Sequence, residues 1–160
     1  GKQISLTRVG ELFFEHANTI MQELLIRGYL YQLIKAQYST AAAAIATTAL
    51  FTFLHGGALE AGIIPTLNVV TMSLLMGLVL EYTQSLLAPA VMHFLWNCIG
   101  GILLGGVSLA EDYPQLCRTE FTGPVLLSGG APKMEGSIVV FLLNLLLIAV
   151  FAALLKKRKQ

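Results

Sequence analysis

Charged residues are scarce in this sequence, where ten Lys and Arg and nine Asp and Glu make up 12% of 160 residues. Soluble globular domains carry about 25% charged residues. Hydrophobic residues account for 56% of the chain, and the mean hydropathy is +0.73. This composition excludes an ordinary soluble domain and indicates a membrane protein. Because the formal net charge is only +1, the sequence gives no reason to expect a nucleic-acid partner.

Cysteine is also scarce. Cys98 lies in an apolar run and Cys117 in a polar connection, so the two residues do not indicate a disulfide framework. The HExxH pattern of zinc peptidases is absent, and we therefore predict no cofactor. A zinc site built from two histidines and a carboxylate stays open as the weaker alternative.

Apolar stretches are what the sequence has in abundance. A helix needs about 20 residues to cross the hydrocarbon core of a bilayer. We expect an all-α, polytopic transmembrane helix bundle that forms a single domain over residues 1–160. Its five predicted membrane helices run from about Glu11 to Ala36, Thr40 to Gly62, Thr66 to Gln84, Leu86 to Gly106 and Ser137 to Leu155.

The connections between these helices predict the orientation. Residues 109–135 are the only long polar connection, and we expect them to form an extramembrane loop. The last span, residues 137–155, is followed by the basic run KKRK at 156–159. Basic residues beside a membrane helix favour the cytoplasmic side. The sequence therefore predicts a multi-pass protein of the cell membrane with a cytoplasmic C-terminus and the long loop outside.

A few polar side chains interrupt the predicted spans. An ionisable residue at the centre of a bilayer costs roughly 2.5 to 3.5 kcal/mol, so it is usually paired and functional. Taken singly, each has a plain structural reading, since a Glu–Arg pair can lock helices together and a lone histidine is commonly a hydrogen-bonded core residue. Their joint occurrence on three helices favours a common polar site. These candidate site residues are Gln22, Glu23, Arg27, His55, His93 and Asn97.

The spacing of these residues suits amide hydrolysis. Glu23 and Arg27 are four residues apart, as are His93 and Asn97, so each pair shares one helix face. A carboxylate and a histidine can activate water, and a second histidine with an amide can donate hydrogen bonds to an oxyanion. A transporter in which Glu23, Arg27 and His55 line a polar path is a further alternative. It is weaker because the sequence has no internal repeat.

Three short segments resemble the motifs of a known family. The segments QELLIRG, FTFLH and HFLWN, within residues 21–101, are similar to the EExxxR, FxxxH and HxxxN motifs of the CAAX protease and bacteriocin-processing (CPBP, or Abi) family of intramembrane proteases. MGLVLEYTQSLLAPAVMH resembles the stretch before the family's third motif, and SGGAPKMEGS resembles a loop of some bacterial members. The resemblance implies a membrane endopeptidase that acts on peptides or on prenylated, lipid-associated proteins.

The resemblance also implies roles for individual residues. In the family, the first motif glutamate and the second-motif histidine activate water, which assigns this role to His55. The third-motif pair, here His93 and Asn97, forms the oxyanion site. Gln22 stands where the family has its first glutamate, and a neutral amide cannot accept a proton as a base.

Three explanations are open for Gln22. Glu23, the second glutamate, takes over the base role; or the protein is an inactive relative that serves as a scaffold or immunity factor; or Gln22 is a substitution that traps the enzyme.

His55 and His93 can form one site only if they lie at a similar depth in the membrane. His93 lies about 10 Å into its helix, at 1.5 Å per residue. We therefore expect the second helix to continue past His55 through residues 58–62.

Overall fold

The computed structural model describes residues 17–107, 117, 119–158 and 160. Within these ranges every regular element is helical, and the only bridge between extended segments pairs Val107 with Lys133. The all-α prediction is confirmed for this part of the chain. Residues 11–16 of the first predicted helix, residues 109–116 and 118 of the predicted loop and Lys159 of the basic run lie outside the described residues.

The described residues form seven helices, of which two contain π-helical segments. The first helix, α1, covers residues 17–37 and includes a π-helical segment at Leu24–Leu30 before its last α-helical part at Tyr31–Gln37. The fifth, α5, begins as an α-helix at Leu87–Leu95 and continues as a π-helix at Trp96–Leu103. The others are α2 at Thr40–Leu54, α3 at Gly56–Ala61, α4 at Ile63–Thr83, α6 at Val125–Ser128 and α7 at Ile138–Arg158, with a 3₁₀ turn at Met134–Gly136 before α7.

Local sequence explains where several helices begin and end. The Ser39 side chain accepts a hydrogen bond from the Ala42 N–H at 3.1 Å and caps the start of α2. Gly62, with φ of 124°, separates α3 from α4. Pro65 lies in the first turn of α4, where its missing N–H has no partner to lose. Gln84, in the left-handed conformation, ends α4.

The second helix does not continue past His55, so that prediction is wrong. His55 has φ of −99° and ψ of 47°, and its N–H bonds to the carbonyls of Phe51 and Thr52. Gly56 and Gly57 follow directly, and glycine weakens a helix by about 1 kcal/mol per residue relative to alanine. The chain therefore turns at His55 before the short α3. His55 therefore reaches the site from a turn, and not from the middle of a continuous helix as predicted.

Polar contacts show which helix ends lie together. Lys35 near the end of α1 and Glu81 near the end of α4 form an ion pair at 2.6 Å. Arg158 at the end of α7 donates a hydrogen bond to the Tyr82 carbonyl. These three helices are therefore parallel and end together at the basic C-terminal run. The 3₁₀ turn and the start of α7 lie at the opposite end, where Asn68 on α4 contacts Glu135.

Helix α4 is central, since it packs against α2, α3, α5 and α7. Ile26, Phe51 and Met76 form one buried cluster between α1, α2 and α4. Within the described residues, α4 and α7 are each long and apolar enough to cross a membrane. The five-span prediction is not established by this criterion, because the turn at His55 leaves α2 with 15 residues, about 22 Å of helix.

Candidate active site

A buried ionic chain joins α1 to α5. Arg27 Nη1 donates to Glu23 Oε1 at 2.8 Å, one helical turn away. The same carboxylate oxygen accepts from His93 Nδ1 at 2.9 Å. Glu23 is 0%, Arg27 1% and His93 6% exposed. Charges this deeply buried persist only when they are paired and hydrogen-bonded, and here each has a partner within hydrogen-bond distance.

Arg27 also connects α1 to α2 and α4. Its Nη2 donates to Ser73 Oγ at 2.8 Å, and Ser73 in turn donates to Thr48 Oγ1 at 3.2 Å. The guanidinium lies over the Phe51 ring, with Cζ 4.3 Å from the ring centroid, a favourable cation–π geometry. Arg27 therefore holds three helices in register at the depth of the site.

His55 enters the site from the turn between α2 and α3. Its Nδ1 lies 2.8 Å from the Phe51 carbonyl oxygen. A carbonyl can only accept, so Nδ1 carries the proton and the neutral ring keeps a lone pair on Nε2. The ring stacks on Phe51 at 4.2 Å, and its centroid is 6.1 Å from that of His93. The two imidazoles therefore lie side by side, although they come from separate helices.

A cavity of about 420 Å³ lies beside these two histidines. Four of the six predicted site residues line it, namely Gln22, His55, His93 and Asn97. Glu23 and Arg27 do not line it and lie behind His93. The cavity combines a polar wall with apolar side chains, which are Phe51, Leu54, Val69, Met72, Trp96 and Val140. Such a combination is typical of a substrate site within a helix bundle.

Gln22 is one of the residues that line this cavity. Its Oε1 is buried and has no hydrogen-bond donor among the described residues. An unsatisfied buried acceptor costs about 1 to 3 kcal/mol, so this oxygen favours a bound donor such as water or a substrate N–H. The Glu23 Oε2 atom is likewise buried without a donor in this part of the chain.

The family of the chain follows from a sequence comparison. A family model described as type II CAAX prenyl endopeptidase Rce1-like matches residues 12–99, more than half of the chain. All six predicted site residues fall inside the matched segment. The chain belongs to the Rce1-like family. The resemblance to the CAAX proteases is thereby confirmed, and with it a membrane-embedded, CAAX-type protease fold. Neither the curated proteins nor the solved structures include one that matches the chain.

Sequence reasoning missed four polar residues that line the cavity of this Rce1-like protein, Asn18, Thr19, Asn68 and Glu135. Thr19 precedes Glu23 by four residues, a spacing that places it on the same helix face. Asn68 was visible as an amide near the start of a predicted span. Glu135 was assigned to an extramembrane loop. No sequence signal placed that loop against the cavity.

Asn68 fixes this loop at the cavity. Its Nδ2 donates to the carbonyls of Glu135 and Ser137 at 2.8 and 3.0 Å. Asn144 on α7 donates to Thr71 Oγ1 on α4 at 3.1 Å, one turn below. The Asn68 amide therefore holds residues 135–137 against α4, and the Asn144 amide adds a polar contact between α4 and α7.

Replacing Asn68 with leucine is expected to loosen the loop and lower stability. Two backbone carbonyls lose a side-chain donor, although the Ser137 carbonyl keeps the Phe141 N–H at 3.4 Å, and each lost hydrogen bond costs about 0.5 to 1.5 kcal/mol. The measurement is thermal unfolding in detergent combined with limited proteolysis after Lys133. Gln37→Leu, an exposed change at the end of α1, serves as the control. Unfolding and cleavage of Asn68→Leu that match those of this control would contradict the assignment.

A zinc site needs several ligating side chains close together. Within the described ranges, no three His, Cys, Asp or Glu side chains cluster closely enough to hold a metal ion. His93 Nδ1 faces the Glu23 carboxylate, and His55 Nδ1 faces a carbonyl. These contacts engage Nδ1 of each ring and not Nε2, and a metal-bound histidine commonly donates its other ring N–H to a carboxylate or a carbonyl. The zinc alternative therefore stays open.

Proposed function

We propose that this Rce1-like protein is an intramembrane endopeptidase that hydrolyses a peptide bond in the cavity beside His55 and His93. The observation that carries the proposal is the placement of two imidazoles, 6.1 Å apart, on the wall of a cavity inside an apolar bundle. Buried polar groups are costly in such surroundings. Their convergence at one cavity therefore supports a catalytic use.

In the proposed mechanism His55 is the general base. The hydrogen bond from Nδ1 to the Phe51 carbonyl holds the ring in the tautomer with its lone pair on Nε2. In this proposal Gln22 acts on the same water: its Oε1, which is buried and has no donor among the described residues, is assigned to accept one water hydrogen and orient the attacking oxygen. His55 Nε2 removes the other proton as the water oxygen bonds to the peptide carbonyl carbon. His55 then returns this proton to the leaving amine.

His93 and Asn97 are the proposed oxyanion donors. The carbonyl oxygen of the scissile bond becomes negatively charged in the tetrahedral intermediate, and preorganised N–H groups stabilise it. The Asn97 amide supplies an N–H directly. His93 Nδ1 is bonded to Glu23, so Nε2 is the ring atom through which His93 contributes to the proposed oxyanion site.

Glu23 has a positioning role in this proposal. Its bonded oxygen already accepts from both Arg27 and His93, and the residue does not line the cavity. A base must reach the water, so these contacts do not favour the explanation in which Glu23 takes over the role of the first motif glutamate. Because the base here is a histidine, the proposed reaction proceeds with Gln22 in place, at a reduced rate.

The proposed substrate is a peptide or a prenylated, lipid-associated protein that reaches the cavity from the bilayer. The apolar wall formed by Leu54, Met72 and Trp96 suits an apolar flank beside the scissile bond. We further propose that α1, α2 with α3, α4, α5 and α7 provide five spans in a multi-pass arrangement. The basic residues at the end of α7 then face the cytoplasm.

The test is cleavage of quenched fluorescent peptides, with and without a farnesylated cysteine, by protein purified into nanodiscs. We expect slow cleavage by the chain as written, and cleavage about 10²-fold faster by Gln22→Glu, because a carboxylate adds a proton acceptor at the same water. Gln22→Ala is expected to be slower than the chain as written, since it removes the acceptor that orients water.

The outcomes separate the remaining explanations. Cleavage seen only with Gln22→Glu would identify an inactive relative, whose role is that of a scaffold or immunity factor. If Glu23→Gln and Gln22→Ala lower the cleavage rate by a similar factor and leave stability unchanged, Glu23 takes part in the reaction as the base. Activity that is abolished by a chelator and restored by zinc would support the metal alternative. If none of these variants cleaves any peptide of the panel, the proposed function is wrong.

A further inference from the structure

Two matching contacts join α1 to α5 beside the cavity. Glu23 Oε1 accepts a hydrogen bond from His93 Nδ1 at 2.9 Å, and Thr19 Oγ1 accepts one from Asn97 Nδ2 at 3.1 Å. Thr19 precedes Glu23 by four residues, and His93 precedes Asn97 by four residues. The helices run in opposite directions, so the two contacts are successive rungs between the same two helix faces. Each oxyanion residue therefore has its own partner on α1.

The contact between Thr19 and Asn97 is partly buried and belongs to the cavity wall. Thr19 is 4% exposed, and Thr19 and Asn97 both line the cavity. An asparagine amide has two N–H donors. When one of them is donated to Thr19, the plane of the amide is fixed and the second N–H keeps a defined direction.

The local helix geometry makes such a partner necessary. Asn97 lies in the π-helical segment Trp96–Leu103, where the wider turn changes the direction of side chains relative to an α-helix. The side chain of Asn97 also has rotational freedom about two bonds. The backbone of α5 therefore does not determine the orientation of this amide by itself, and a contact from another helix does.

We infer that Thr19 is a positioning residue, which orients the Asn97 amide so that its second N–H is directed at the oxyanion. The inference rests on the proposed function for its catalytic part. Thr19 lies outside the three motifs and acts through Asn97, as Glu23 acts through His93. A displacement of about 1 Å in a reacting group lowers the rate by as much as about 10²-fold. Loss of the Thr19 hydroxyl is therefore expected to lower kcat about tenfold.

The experiment compares Thr19→Val with Thr19→Ser. Valine keeps the shape of threonine but removes the acceptor, so we expect kcat to fall about tenfold with little change in KM. Serine keeps the hydroxyl and is expected to restore most of kcat. The double variant Thr19→Val/Asn97→Ala is expected to be no slower than Asn97→Ala alone, since both changes remove the same interaction.

A matched control separates this role from a general loss of packing. Thr47 is also 4% exposed, its hydroxyl donates to the Ala43 carbonyl of its own helix at 2.7 Å, and it does not line the cavity. Thr47→Val makes the same chemical change at the same burial. We expect it to keep the kcat of the chain as written.

A second readout tests the contact without activity. The side-chain amide signals of Asn97 in a ¹⁵N spectrum, assigned by their loss in Asn97→Ala, are expected to shift in Thr19→Val and to stay near their original position in Thr19→Ser. Unchanged amide signals in Thr19→Val would overturn the inference even in an active enzyme. So would a kcat equal to that of Thr47→Val, or losses that multiply in the double variant. If the amide signals shift but no variant cleaves peptide, the proposed function fails and the contact stands.

Discussion

Replacing His55 with glutamine is expected to lower kcat for peptide cleavage by about 10²- to 10⁴-fold. Glutamine offers an amide to the Phe51 carbonyl and fills a similar volume, but it has no atom that accepts a proton as Nε2 does. General bases contribute about 10²- to 10⁴-fold to catalysis. The measurement is the initial rate on the peptide cleaved best by the chain as written, in saturating substrate.

His55→Gln is informative only if the protein stays folded. His55 is partly exposed, at the turn that follows α2, so thermal unfolding is expected to change little. The chain has one histidine besides His55 and His93, namely His16, which lies outside the described residues. His16→Gln provides a second histidine variant for comparison. A kcat for His55→Gln within about threefold of that of the chain as written would remove His55 from the chemistry.

Replacing Arg27 with methionine is expected to lower the free energy of unfolding by about 3 to 5 kcal/mol. The change leaves the Glu23 carboxylate buried without its cation, and breaking a buried pair from one side costs about this much. It also removes the donor to Ser73 and the cation above Phe51. The measurement is the unfolding equilibrium in mixed micelles, with helical content as the signal.

The double variant Glu23→Gln/Arg27→Met isolates the charge. Glutamine removes the unpaired carboxylate and leaves an amide at the same place, so we expect it to recover about half or more of the loss. Lys35→Met is the matched control, because Lys35 forms an ion pair with Glu81 but is 32% exposed. Such partly exposed pairs contribute about 0 to 1 kcal/mol. Equal losses for Arg27→Met and Lys35→Met would contradict the account of a buried ionic core.

The sequence was most informative about side chains that share a helix face. Glu23 with Arg27 and His93 with Asn97 were expected to lie together because i and i+4 are neighbours on a helix. The contact between Glu23 and His93, 70 residues apart, was expected only as a general convergence of polar groups. Apolar membrane helices make this expectation reasonable, since a buried charge needs a partner.

The sequence was least informative where backbone geometry departs from a regular α-helix. The turn at His55 replaces the continuous helix that we predicted, although Gly56 and Gly57 indicate weak helix propensity there. The π-helical segments Leu24–Leu30 and Trp96–Leu103 have no established sequence signature. They contain Arg27 and Asn97, and π-helical turns frequently occur at functional sites. Long-range contacts such as that between Asn68 and Glu135 depend on packing that periodicity does not reveal.

The most direct test of the central claim is whether Gln22 and His55 act on one water. The measurement is kcat for four proteins, namely the chain as written, Gln22→Glu, His55→Gln and the double variant. If the two residues share one water, Gln22→Glu raises kcat about 10²-fold when residue 55 is histidine. The same change raises kcat by roughly threefold or less when residue 55 is glutamine. The same gain with either residue at position 55 would show that the two side chains act independently, and would contradict a single catalytic site formed by these helices.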